Sequence, residues 1–192
     1  MKTAQEVLDF WIDQAGPKMW YAQDEAFDAE IRDKFQSVWE EARDGQHDDW
    51  LETPEGALAL CILLDQFPRN MFRGQGDSFA TDAKAREVAG KAIAAGHDMN
   101  IAEPERQFFY LPFMHEPTLA GQDRCIDLMA ERLPETGADN LAHAKAHRAV
   151  IEAFGRFPAR NAALGRESTE GEKEYLKSNG YGEFLKQYKE EA

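Results

Sequence analysis

The sequence predicts an all-helical protein, with antiparallel helix pairs stacked side by side in the manner of an α-solenoid and residues 1–192 forming a single domain. Three features carry that expectation. Apolar residues recur three and four positions apart along nearly the whole chain, and no alternating apolar–polar run sits between hairpin turns. Proline and glycine punctuate the pattern at short intervals, as they do between packed helices. Helix-start chemistry also recurs, in Thr3-Ala-Gln-Glu6, Thr53-Pro54 and Thr169-Glu-Gly-Glu172.

The first helix opens at the Thr3–Glu6 capping box, in which each side chain serves a backbone amide of the other residue. Val7, Leu8, Phe10 and Trp11 form its apolar stripe, and Gly16-Pro17 stops it. Asp24 caps the second, where Phe27, Ile31, Phe35, Val38 and Trp39 share one face down to about Gly45. Thr53 caps the third. Its run ALALCILLDQF is apolar all round, which marks a central buried helix, and Pro68 is expected to end or bend it. An Ala-rich fourth helix spans about 79–95 and stops at Gly96.

Pro104 and Pro117 read as first-turn prolines of two more helices, the first short (ERQFFYLPFM) and broken by Pro112. The second runs over 117–132 through Leu119, Cys125, Ile126, Leu128 and Met129. A helix over 138–155 breaks at Gly155 and Pro158, and the last capping box opens one through Tyr175 and Leu176. The acidic residues 177–192 read as a frayed terminal helix.

Twelve Phe, four Trp and five Tyr suffice for a substantial core. The longest apolar run, Ala57 to Leu64, is far short of the roughly 20 residues that span a bilayer, and the N-terminus has no secretory pattern. A cytoplasmic protein is expected, with Cys61 and Cys125 as buried, reduced thiols. A net charge of −14 argues against nucleic acid and anionic membranes as partners. That charge is unevenly spread. Residues 143–166 carry net +4 and residues 66–76 net +2, which leaves −20 on the remainder.

The cations fall in two matching segments, LLDQFPRNMFRGQG (63–76) and AFGRFPARNAALGR (153–166). Each holds Phe-Pro, then Arg-Asn, then a glycine four residues past the Asn. Two readings follow. In the first, Arg and Asn cap the ends of helices in the links after Pro68 and Pro158, with Asn accepting a left-handed backbone and Arg pairing with acids such as Asp65 or Glu152. In the second, Arg69, Asn70, Arg73, Arg156, Arg160 and Asn161 line a pocket and converge on an anion, because the guanidinium fork matches carboxylate and phosphate.

His143 and His147 are four apart and share a helix face; with His115 and Glu116 they resemble a metal set, but HAKAH lacks the glutamate of the zinc-protease motif, and no metal or other cofactor is expected. His147 and His115 join the anion-site candidates, and Asp65 and His147 are the candidate acid–base pair should the protein be an enzyme. No nucleophile elbow or phosphate-binding glycine loop occurs, RGQG at 73–76 being a turn. FFYLPFM reads as core.

At LLDQFPRNMFRG, FFYLPFMHE and FGRFPARNAALGRES the chain resembles a bacterial domain-of-unknown-function family with a tetratricopeptide-like helical fold, over residues 5–178 or so. The resemblance covers Asp65 to Asn70, Arg73 and Gly74; Arg106 and Tyr110 to His115; His147, Phe154 to Pro158, Arg160, Asn161, Gly165 and Arg166. It departs at Glu116-Pro117, where the family has Ser-Glu, and at Ala159, where it often has His. It implies a single tetratricopeptide-like domain and no established activity. By analogy with that fold, a groove taking an acidic or carboxylate-terminated peptide is expected beside the small-anion alternative. Binding is thus the first expectation, an enzyme on a small anionic substrate the second, and a structural interaction module the third. The oligomeric state is not fixed by the sequence.

Overall fold

The computed structural model describes residues 2–190, and all regular structure among them is helical. The chain parts into two compact units, one reaching to Pro112 and one beginning at Phe113.

In the first unit, Thr3 and Glu6 form the expected capping box at α1 (Ala4–Leu8), which runs on through a wider i→i+5 segment, Asp9–Ala15. Gly16 ends it at φ 64°, a left-handed backbone that glycine adopts without steric cost. Asp24 caps α2 (Glu25–Arg43) by accepting from the Phe27 amide, and Thr53 caps α3 (Pro54–Cys61). The Phe10, Phe35 and Phe67 rings meet at centroid distances of 5.0 and 4.8 Å, with Trp11 5.4 Å from Phe67. Every residue from Ala57 to Leu64 is buried, as an all-round apolar helix requires.

Pro68 does not end this helix, which corrects one of the two sequence expectations. After α3 the chain widens into an i→i+5 segment, Ile62–Gln66, and then continues as α4 (Phe67–Met71). Pro68 brings no N–H for the Leu64 carbonyl four residues back, and the buried Thr81 hydroxyl donates to that oxygen instead at 2.6 Å. Trp39 Nε1 in turn donates to Thr81 Oγ1 at 3.1 Å. Arg69 and Asn70 therefore lie inside a helix rather than in a link after one. The fourth expected helix is α5 (Asp82–Ala94).

The segment expected after Pro104 is a 3₁₀ turn, Glu105–Phe109, interrupted at Tyr110 before the short α6 (Leu111–Met114), in whose first turn Pro112 stands; the division falls within α6. FFYLPFM is buried throughout, as expected.

In the second unit, α7 (Leu119–Arg132) is capped by Thr118, not opened by Pro117. It packs on α8 (Ala138–Phe154), which ends at Gly155 in the left-handed region, φ 65°. Thr169 and Glu172 form the second capping box, at α9 (Glu170–Lys177). The terminal segment is not frayed over its described residues. It forms α10 (Gly180–Glu190), which packs on α8 and brings Tyr181 and Phe184 against Val150, Ile151 and Phe157. Among the described residues no helix is long and apolar enough to cross a membrane, and both cysteines are free and buried.

Candidate functional site

The two Arg-Asn segments each secure one buried carboxylate. In the first unit Asp28, on α2 and 6% exposed, accepts from Asn70 Nδ2 at 2.8 Å and from Arg73 Nε and Nη2 at 2.6 and 2.9 Å. Burial alone would raise the Asp28 carboxyl; the bonds from Arg73 and Asn70 outweigh it and hold the group below the usual carboxylate range. In the second unit Glu172, 2% exposed, accepts from Arg156 Nε and Nη2 at 2.6 and 2.7 Å and from Asn161 Nδ2 at 3.3 Å. The bonds from Arg156, and then the Thr169 amide, lower Glu172 to about 2.

The repeated glycine has its reason as well. Gly74 and Gly165 both stand at positive φ, 80° and 62°, where each turn reverses. The asparagines do not: Asn70 is helical and Asn161 sits at φ −59°, ψ −48°, so their value is the amide donor rather than left-handed tolerance.

Arg69 is equally committed. Its Nη1 donates to Asp82 Oδ1 at 3.0 Å and to the Asp65 and Ser78 carbonyls, and its Nη2 lies 3.5 Å from Asp65 Oδ1. Asp65, 1% exposed, also accepts from Gln66 Nε2 at 2.6 Å. Asp65, Arg69, Asn70 and Arg73 belong to the first unit, and His115, His147, Arg156, Arg160 and Asn161 to the second. Glu152 pairs with Arg148 rather than with either motif.

Within the second unit Arg160 and His147 meet on Phe157, and His115 lies beside both. The Arg160 guanidinium carbon lies 4.4 Å from the centre of that ring, and Arg160 Nη2 donates to the His115 carbonyl at 3.0 Å. The His147 ring meets Phe157 edge-on at 5.6 Å and lies 6.4 Å from the His115 ring. Burial pushes the His147 imidazole down to about 3. Its bond to the His143 carbonyl opposes the shift, and the charges of His115, His143 and Arg160 add to it.

The far side of His147 is held by a chain of hydrogen bonds along one face of α8. His147 Nδ1 lies 2.9 Å from the His143 carbonyl oxygen and 3.2 Å from Tyr181 Oη, and Tyr181 Oη lies 2.6 Å from His143 Nδ1. His143 Nε2 reaches Asp139 Oδ2 at 3.5 Å. A carbonyl only accepts, so His147 Nδ1 carries the proton. Tyr181 then donates to His143 Nδ1, and His143 Nε2–H faces Asp139. That assignment leaves His147 Nε2 as a bare lone pair, with no hydrogen bond among the described residues. The pairing of His143 with His147 on one face was legible from HAKAH; Tyr181 was missed. Its signal was the apolar spacing of Tyr181, Phe184 and Tyr188 in a segment dominated by charge. Among the described residues no three His, Cys, Asp or Glu side chains are grouped for a metal ion.

The chain belongs to the family described as bacterial protein of unknown function (DUF924), whose model matches residues 7–180. It is similar to a solved structure of a protein of unknown function, ATU0120, from Agrobacterium tumefaciens. The two are 46% identical with a TM-score of 0.85, over 91% of this chain and 97% of that one. No curated protein matches the chain.

Proposed function

We propose that the unit beginning at Phe113 binds a small oxyanion, or the carboxylate end of a peptide, with Arg160, His115 and His147, in a cytoplasmic protein of tetratricopeptide-like helix pairs. One observation carries the reading: a guanidinium and an imidazole meet on Phe157, with the His115 ring 6.4 Å from that of His147, and the Arg160 charge is felt at His147. An anion seated there meets the fork of the Arg160 guanidinium. Arg69, Arg73 and Arg156 pair with Asp82, Asp28 and Glu172 and are not part of this cluster. The antiparallel α7–α8 pair, joined by a five-residue turn, supports the helix-pair arrangement, and two buried free thiols support a reducing compartment.

Isothermal titration of the full chain with inorganic phosphate, acetate and a carboxylate-terminated peptide tests the reading. At about a hundred times Kd, a bound anion also raises the melting midpoint through roughly 3 kcal/mol of linkage. Arg160→Gln is expected to abolish the heat and the thermal shift, while Arg148→Gln, on the exposed side of α8, leaves both intact. Equal binding by Arg160→Gln and wild type removes the site.

An enzyme in which His147 accepts a proton is the second reading, favoured by the lone pair at Nε2. An imidazole held near 3 is a weak base until an anion offsets its surroundings, which ranks this reading below binding.

A further inference from the structure

We infer that α10 is a latch on α8 that lets go in acid, with the His143–Tyr181–His147 contact as its proton-sensitive catch. The inference concerns the second unit alone and does not depend on the anion reading above.

The attachment of α10 favours release as a piece. Only Ser178 and Asn179 separate it from α9, and Asn179 is the one non-glycine residue at positive φ, 56°, among the described residues. Past that joint, Gly180 is the only buried residue of α10, while Tyr181 and Phe184 lie half-buried against Val150, Ile151 and Phe157. Eleven residues that include two glycines do not hold a helix in water without such packing. Docking therefore rests on few contacts, and the polar ones weigh heavily among them.

Those polar contacts need both imidazoles neutral. The Tyr181 hydroxyl donates to His143 Nδ1 at 2.6 Å and accepts at 3.2 Å from His147 Nδ1, whose proton is shared with the His143 carbonyl at 2.9 Å. Burial pushes the Tyr181 phenol up, so it keeps its hydrogen wherever imidazoles titrate. A proton on His143 Nδ1 turns that acceptor into a donor. Tyr181 Oη then faces two N–H groups, and its own hydrogen has no other protein acceptor among the described residues.

The charges around the pair act in the same sense. Burial disfavours a cation at His143; Asp139 on α8 works against that, and Lys189 of α10, 2.6 Å from Asp139, adds to it. At His147 burial leads again, the His143 carbonyl opposes it, and His115, His143 and Arg160 reinforce it, leaving the imidazole near 3. From α7, Asp123 reaches α8 at Arg148 rather than at a histidine, and from α9 the Tyr175 ring meets Phe154 and Phe184. Undocking α10 uncovers both histidines and returns them towards about 6.5. Since both are lowered when docked, their contribution to docking is complete above that value and is lost as the pH falls below it. Between pH 7.5 and 5, His147 alone shifts the docking equilibrium by up to about thirtyfold, and His143 adds to it in the same direction.

Hydrogen–deuterium exchange of the full chain, read as protection factors so that the pH dependence of the chemical step cancels, tests the latch. Amides of α10 are expected to lose at least about tenfold in protection between pH 7.5 and 5, with little response to low urea. Amides of α7 are expected to stay at least about tenfold better protected at each pH and to respond steeply to urea, because their opening exposes more surface. An α10 protection factor that holds constant from pH 7.5 to 5 overturns the inference. So does one that matches α7 in size and urea dependence, since the unit then opens as a whole.

Two variants locate the catch. His143→Gln combined with His147→Asn is expected to flatten the α10 profile to within about threefold over that range while α7 keeps its protection; an unflattened profile places the acid response elsewhere and sinks the proposal. Tyr181→Phe leaves α8 untouched and removes only the hydroxyl, and it is expected to lower α10 protection about fivefold at pH 7.5. Unchanged protection in that variant also overturns the catch.

Discussion

Asn70 and Asn161 do the same job in different surroundings, each lending an amide to a carboxylate that an arginine grips with two nitrogens. The sequence marks both asparagines but not their acids, since Asp28 lies 42 positions from Asn70 and Glu172 lies 11 from Asn161. Pairing across such gaps is set by packing, which no local pattern reports. Asn70→Ala strips a donor from a buried carboxylate and is expected to cost about 2 kcal/mol in a urea melt, more than the truncation of an exposed asparagine. Glu172 makes the corresponding pH statement. Its folded value of about 2 lies below the ordinary unfolded value of about 4.3, so its contribution is complete above that value and is lost as pH falls from about 4.3 towards 2. Glu172→Gln should therefore lower the urea midpoint at pH 7 and show a flatter profile across that window. His147 works in a higher range. The unfolded imidazole takes its proton near 6.5 and the folded one only near 3, so the native state loses stability as pH falls between those values, by at most about 1.4 kcal/mol per pH unit. His147→Asn should remove that slope; a profile unchanged from pH 6.5 to 5 would mean the imidazole titrates normally.

At the scale of the helix, the most informative residue is Pro68. Sequence rules treat an interior proline as a stop, and here the helix absorbs it with a widened turn and a borrowed hydroxyl. That outcome is illegible locally because Thr81 lies 17 residues from Leu64 and arrives only through the packing of α5 on this helix. A double-mutant cycle isolates the device. Thr81→Val removes the donor to the Leu64 carbonyl and the acceptor for Trp39 Nε1, with an expected cost of about 2–3 kcal/mol. In a Pro68→Ala background, residue 68 has an N–H to offer that carbonyl, so the same change should cost less by about 1 kcal/mol. Strict additivity would show that Thr81 does not compensate for the proline. The last helix gives the opposite lesson about legibility. Its apolar spacing at Tyr181, Phe184 and Tyr188 was present to be read, but the surrounding acids and glycines favoured fraying, and burial against α8 decided the matter.

For the whole chain, helical class and charge were both legible, because each is a sum over many residues and tolerates local error. The division into two units was not. It falls inside FFYLPFM, a stretch as apolar as the core on either side, with no glycine- or serine-rich linker to mark it. The net charge of −14 has a consequence at this scale that the individual pairs do not share. Arg73 with Asp28 and Arg156 with Glu172 are short contacts to buried carboxylates, which dissolved ions screen weakly. The repulsion among the surplus acids acts over longer distances through solvent. Its range shrinks from about 30 Å at 0.01 M ionic strength to about 8 Å at 0.15 M. Added sodium chloride should thus weaken the repulsion far more than the pairs, and raise the melting midpoint by roughly 2–4 °C for each kcal/mol of relief. The increase should come mostly below about 0.2 M and then level off, as screening does. A midpoint that falls across that range would mean that the arginine–carboxylate contacts, rather than the surplus charge, govern the electrostatics of the fold.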